Sequence, residues 1–290
     1  MKSLVVVTWL SVLGLTAHSA AQSGAGSRFE VASVKPSNPN AVGPGGLPVL
    51  PTTRQVGGRF IASNITLRAL VKDAYDFYFD FRIEGGPDWQ TSRRFDVQAT
   101  AEDPAADRVA MRPMLRALLA DRFKLKVHTE MREMPVFALV VARPGNDDRR
   151  LGPNLTPSTA DCSNPAPVSG ADITALLQAG KVVPCAIMPA PARVAGSYTE
   201  RANGVSMAAL ASSLTAQTGR VVHDRTGLSG LYDWELTYDR SIRGLATAPS
   251  TSDSPVLTTA LQEQLGLKLE STRGPVEVLV IDSAELPGPD

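Results

Sequence analysis

At 290 residues the chain can hold two domains of ordinary size, and its 43% apolar and 20% charged residues are those of a chain that folds. Its 29 Lys and Arg balance its 29 Asp and Glu. That balance removes the excess of positive charge on which nucleic-acid binding rests, so DNA and RNA are excluded as expected partners.

The N-terminus reads MKSLVVVTWLSVLGLTAHSAAQSG: one Lys, an apolar run from Leu4 to Ala17, then small residues. This is the three-part pattern of a secretory signal peptide over 1–21, with Ser19 and Ala21 fitting the small-residue cleavage rule and Gln22 first in the mature chain. The alternative is an uncleaved N-terminal anchor helix. The run is short for a span, and no later segment approaches the roughly 18 apolar residues that one needs. The expected location is periplasmic or secreted, with no transmembrane span in the mature chain.

RFEVASVKPS (28–37) predicts a strand, and the Pro- and Gly-rich stretch 38–55 predicts a loop. GGRFIAS (57–63) predicts a second strand. In NITLRALVKDAY, Leu67, Leu70, Val71, Ala74 and Tyr75 recur at helical spacing with Thr66 as the N-cap. FRIEGGPDW predicts a short strand closed by a Gly-Gly-Pro turn, and RRFDVQATA alternates Phe95, Val97 and Ala99 against Arg94, Asp96 and Gln98. Met111, Met114, Leu115, Leu118 and Leu119 then mark a second helix, whose start Pro113 makes uncertain. FKLKVHTEM alternates, and MPVFALVV (134–141) predicts a buried last strand.

The same order returns in the second half. Met207, Leu210, Ala211 and Leu214 form a helix face, with Ser206 where Thr66 stood and Gly219 as the stop. VVHD is the short strand, and Tyr232-Asp233 match Phe95-Asp96. A Ser- and Thr-rich insertion (241–252) precedes a helix capped by Ser254 with Pro255 at its first position. Leu257, Leu261 and Leu265 match Leu115, Leu119 and Phe123, and GPVEVLVI (274–281) repeats MPVFALVV, with Pro275 matching Pro135. Agreement of element order, apolar positions and caps predicts an α+β fold of two tandem β-α-β-β-α-β-β units. Each would be a mixed or antiparallel sheet packed by two helices. The expected boundaries are 28–142 and 194–285, a Pro- and Gly-rich connector over 143–193, and a tail from 286 to 290. The near-continuous apolar strands should lie at a sheet centre.

Cys162 and Cys185, in an exported chain, predict a disulfide; closing a loop of roughly 20 residues contributes about 3 kcal/mol in the chain-entropy model. A thiol nucleophile is the alternative, but the sequence places no imidazole near either sulfur. His128 shares the outward face of its strand with Lys126 and Glu130 and reads as a surface residue. His223, which Asp224 could orient, is the one candidate for a general base, against a capped turn as the structural reading. GVSMA (204–208) resembles a degraded nucleophile elbow, yet its Ser aligns with a helix cap and has Ala208 where the elbow needs Gly. Neither HExxH nor CxxC spacing occurs, no phosphate loop follows a strand, and no metal or cofactor is expected. Tyr75, Phe77, Tyr78, Phe79 and Trp89 crowd one segment. Those left outside a core would make a patch suited to a protein or a glycan.

The motifs FEVASVKP, ITLRALVKDAY, EGGPDW, RFDVQA, LRALLADRFKLKVH, VVHDRTGLSGLYDW and ALQEQLGLKLESTRGPVEVLVID together resemble an uncharacterised family of exported proteins expanded in Acidobacteria of the Solibacter type, domain of unknown function 3738. The resemblance implies export and carries over no catalytic or ligand-binding residue. Some members of that family look like extracytoplasmic parts joined to membrane metallopeptidases of the beta-lactam-sensor kind, which implies a sensing or protein-binding role. The expected function is a non-enzymatic binding or sensing module of the bacterial envelope, its partner an envelope protein or peptide. The alternative is a secreted hydrolase using His223 and Asp224.

Overall fold

The computed structural model describes residues 28–38, 42–43, 46–47, 49–143, 151–163, 173, 175–176, 179, 181–191, 194, 196–239 and 254–288. The expected signal peptide, the insertion 241–252 and most of 172–180 lie outside the described residues. The elements run β1 Val31–Pro36, β2 Thr52–Val56, β3 Arg59–Thr66, α1 Leu67–Tyr75, β4 Ile83–Gly85, β5 Arg94–Thr100, α2 Arg108–Arg122, β6 Lys126–Val141, β7 Leu155–Pro157, β8 Ala186–Ala190, β9 Ser197–Val205, α3 Met207–Thr218, β10 Val222–Asp224, β11 Tyr232–Asp239, α4 Leu257–Ala260 and β12 Leu267–Ser283. They make an α+β protein with two antiparallel sheets and one mixed sheet. By compactness the chain forms two units, one from the described residues of 1–75, 89–124 and 286–290, the other from those of 76–88 and 125–285.

In the first unit the sheet order is β1-β5-β3-β2, all antiparallel. The expected loop over 38–55 ends in β2, which a two-residue turn at Gly57-Gly58 joins to β3. Both glycines have positive φ, 56° and 71°, the backbone a tight hairpin of primed type demands. Helix α1 opens on Thr66, whose Oγ1 accepts from the Ala69 amide at 3.3 Å, and α2 opens on Asp107, which accepts from Ala110 at 2.8 Å. Pro113 sits in the second turn of α2. The residue whose carbonyl it leaves without a helical bond, Val109, is 64% exposed, so water can replace the missing donor. Leu67, Leu70, Val71 and Ala74 of α1, and Met111, Met114, Leu115, Leu118 and Leu119 of α2, are all buried, as the spacing predicts.

The second unit carries two sheets. Its antiparallel sheet has the order β7-β11-β9-β8. The stretch expected to be connector, 143–193, therefore donates both edge strands, β7 and β8. The expected disulfide joins Cys162 to Cys185 across this stretch, with Cα atoms 5.7 Å apart. Ser206 caps α3 through the Ala209 amide, and Gly219 ends it in the left-handed region. The helix expected to start at Ser254 starts instead at Leu257 behind Val256. Pro255 gives its carbonyl to the Asp239 amide at 2.9 Å, which keeps 254–256 extended, and α4 then widens into a π turn over Leu261–Leu265.

The other sheet of this unit is β10-β6-β12-β4, with its two long strands central, as their apolar character predicts. FKLKVHTEM and MPVFALVV, expected as two strands, form the single strand β6, and β12 is continuous in the same way. The prolines do not break the ladder, for a geometric reason. The Phe137 amide donates to Val221, away from β12, so by the period of two the nitrogen of Pro135 also faces away from β12. Pro275 lies opposite Glu133, in the same phase, and faces away from β6. Neither position costs a central bond. Since β6 and β12 pair from Lys126–Ser283 to Val141–Leu267, residues 125–141 fall in this compact unit and not with the rest of the stretch 28–142 expected to be the first.

Each antiparallel sheet contains the same irregularity. Ala62 lies opposite Val97 and Ile65 opposite Phe95, so β3 carries one extra residue; likewise Ala202 lies opposite Trp234 and Val205 opposite Tyr232. The residue that takes up the excess is left-handed in both, Asn64 at φ 55° and Gly204 at φ 65°. A carboxylate holds each: Asp96 accepts from the Asn64 amide at 2.8 Å, and Asp233 accepts from the Gly204 amide at 2.8 Å. Removing either acceptor would leave a part-buried amide without a partner. Asp96→Ala and Asp233→Ala should each lower unfolding free energy by about 1–3 kcal/mol in urea melts, with the Asn replacements recovering part of the loss because they keep an acceptor oxygen.

Candidate functional site

The aromatic segment falls into two groups. Tyr75 ends α1 in the first unit. The Arg116 guanidinium lies 4.9 Å from its ring centre and donates to the Ala74 carbonyl at 2.8 Å. Burial pushes the Tyr75 phenol above its usual range, and the Arg116 charge draws it partway back. Trp89 lies nearly parallel to Phe123 at 6.4 Å and edge-on to Phe95 at 6.2 Å, and these two buried rings meet edge to face at 5.0 Å. Both Tyr75 and Trp89 thus close a core.

The second group belongs to the other unit. Phe77 is only 6% exposed, with the Arg82 guanidinium 4.6 Å over its ring. Its expected place on a binding surface is corrected by this burial. Tyr78 is 51% exposed, and Phe79 stacks on Phe81 at 5.3 Å with both rings partly open. Of the five candidate residues, then, Tyr78 and Phe79 present rings to solvent, and Phe81 joins them.

His128 is half exposed, as its alternation predicts. Its Nδ1 meets Asp282 at 2.9 Å and its Nε2 faces Glu130 at 3.8 Å. Arg132, held by Glu130 and Glu84, continues this line of charge across the strands. His223 and Asp224 are not brought together. Neighbouring strand residues point to opposite faces. The Asp224 carboxylate accepts from the Thr226 amide at 2.9 Å and from its hydroxyl at 2.7 Å, making the capped turn. The His223 Nε2 is buried and has no hydrogen-bond partner among the described residues, packed where Gly274 has no side chain. Ser206 of the elbow-like GVSMA is the α3 cap. Among the described residues no group of His, Cys, Asp and Glu could hold a metal ion, and no helix is long and apolar enough to cross a membrane.

Two clefts lie on the sheets themselves. The one in the second unit, about 650 Å3, covers the polar face of β9 and β11. Its groups are already satisfied by one another: Arg201 pairs with Glu235 at 2.5 Å, Asn203 with Asp233 at 2.9 Å, and the Gln264 amide with both the amide and the carbonyl of Thr237. The cleft of the first unit, about 540 Å3, is lined by Ser37, Asn64, Ser92, Arg93 and Arg94 above Phe95. In the sequence Arg94 stands only as an outward residue of an alternating strand. The signal for more was the pair of arginines before Phe95-Asp96, where the matching strand has Gly230 and Leu231 before Tyr232-Asp233.

The family model described as "Protein of unknown function (DUF3738)" matches residues 68–284. The chain belongs to this family. No curated protein and no solved structure matches it. The span matched in the family takes in both clamping carboxylates, the aromatic segment and both long strands, while β1, β2 and β3 precede it.

The two aromatic groups should separate in stability measurements. Trp89→Ala should lower unfolding free energy by about 3 kcal/mol, the scale of truncating a packed aromatic ring. Tyr78→Ala should stay below about 1 kcal/mol, as a surface change does. Urea unfolding of both variants checks the difference.

Proposed function

We propose that the protein is an exported, non-enzymatic binding module of the bacterial envelope, and that it holds a protein segment or glycan against the rings of Tyr78, Phe79 and Phe81. The observation that carries this reading is that Tyr78 is exposed beside the half-buried, mutually stacked Phe79 and Phe81, while Phe77 is buried and Trp89, itself half-buried, packs on the buried rings of Phe95 and Phe123. Accessible stacked rings offer apolar area with little side-chain entropy to lose on binding. The engagement of Asp224 with Thr226 supports placing His223 outside any acid–base pair. The disulfide supports an oxidising compartment, in line with the signal-like N-terminus.

We further infer that the chain is a duplicated β-α-β-β-α-β repeat with copies near 28–142 and 194–285. The shared bulge and the matching caps at Thr66 and Ser206 support this, as does the shared strand order once β7 and β8, which precede 194, are counted with the second copy. In each antiparallel sheet the strand order, counted along the chain, is first, fourth, third, second.

An array of envelope oligosaccharides and peptides, read with the mature chain, tests the binding function. A ligand whose affinity falls at least roughly tenfold in Phe79→Ala and in Tyr78→Ala, with the circular dichroism of both unchanged, is the expected outcome. No bound ligand at all, or one held equally by both variants, would remove this reading. A turnover that disappears in His223→Ala would put the hydrolase in its place.

A further inference from the structure

We infer that the cleft at the Arg93–Arg94 corner of the first unit binds an anion with paired oxygens, a carboxylate or a phosphate. Its volume of about 540 Å3 is that of a small-molecule site, and Phe95 supplies an apolar floor. Charge decides the ligand class. Among the described residues, two guanidinium groups and no acidic residue line the cleft; the adjacent acid, Asp96, keeps its charge but directs it at the Ser37 hydroxyl at 2.7 Å and the Asn64 amide at 2.8 Å. Guanidinium groups match the planar fork of a carboxylate or phosphate.

The arginines are held differently, and the difference is informative. Arg94 gives Nη1 to the Asn64 carbonyl at 2.9 Å, which orients it over the bulge. The Arg93 side chain has no hydrogen bond or ion pair among the described residues. Its backbone is nevertheless fixed, because the amides of Ser92 and Arg93 both donate to the Trp89 carbonyl, at 3.1 and 2.9 Å, and Trp89 is stacked on Phe123. An unengaged guanidinium on an anchored backbone can reach a ligand without first breaking a bond to the protein. The bulge itself does not need these charges, since the second sheet builds the same bulge with Gly230 and Leu231 in their place.

The test is isothermal titration of the whole chain, at low ionic strength, with citrate and with inorganic pyrophosphate. One saturable site is expected, weakened roughly 10- to 100-fold in Arg93→Ala, the loss from removing a charge-assisted hydrogen bond, and partly restored in Arg93→Lys. Arg220→Ala, in the other unit, should bind as the unaltered chain does. Tighter citrate binding would mark a carboxylate ligand, and tighter pyrophosphate binding a phosphate. Failure of both anions to bind, or equal binding by Arg93→Ala, overturns the proposal. The Phe79→Ala variant should bind these anions normally, so this site and the aromatic surface stand or fall separately.

Discussion

A carboxylate facing a one-residue bulge is the constraint on which both antiparallel sheets depend. Inward-facing residues recur every second position along a strand, and a helix attached to its end inherits that phase. In β3 the buried positions are Phe60 and Ala62, then Ile65, followed by Leu67 of α1; in β9 they include Ala202, then Val205, followed by Met207 of α3. The extra residue shifts the phase by one, so that the first apolar residue of each helix lands on the core side. The amide displaced from the ladder must still be satisfied. Asp96 and Asp233 do so, and the caps at Thr66 and Ser206 follow two residues later. Gly204 has a second reason to be glycine, because a Cβ there would lie 2.6 Å from the Cys162 sulfur.

From that local device the architecture of each unit follows. In the second unit the long β6–β12 ladder gives its mixed sheet two central strands whose prolines cost no bond, and short β10 and β4 flank them in parallel. One face of the ladder adds Leu139 and Leu267 to the core built from α3, β9 and β11. The disulfide then ties down the stretch that supplies β7 and β8, where closing the loop removes freedom from the unfolded chain.

The surfaces left over are of two chemical kinds. Rings with solvent-facing area lie at Tyr78, Phe79 and Phe81; a cation without an acidic partner among the described residues lies at Arg93, next to Arg94, which bonds the Asn64 carbonyl. Other polar groups answer one another, as Arg201 does Glu235 and His128 does Asp282.

Much of this was written locally. Helix faces, caps at Thr66, Ser206 and Gly219, the disulfide, the central position of the apolar strands and the correspondence of Asp96 with Asp233 could be read from spacing, because each rests on residues a few positions apart or on a repeat of the same pattern. The strands β2, β7 and β8 could not, since short exposed segments become strands only when a neighbour supplies the other half of the ladder. Nor could the continuity of β6 through Pro135, which depends on which side the nitrogen faces. The fate of each aromatic ring was equally hidden: Phe77 and Phe79 are two residues apart and chemically identical, and only packing decided that one lies under Arg82 while the other faces solvent. The same holds for Arg93, whose charge is visible in the sequence but whose lack of a partner exists only once the chain has folded around it.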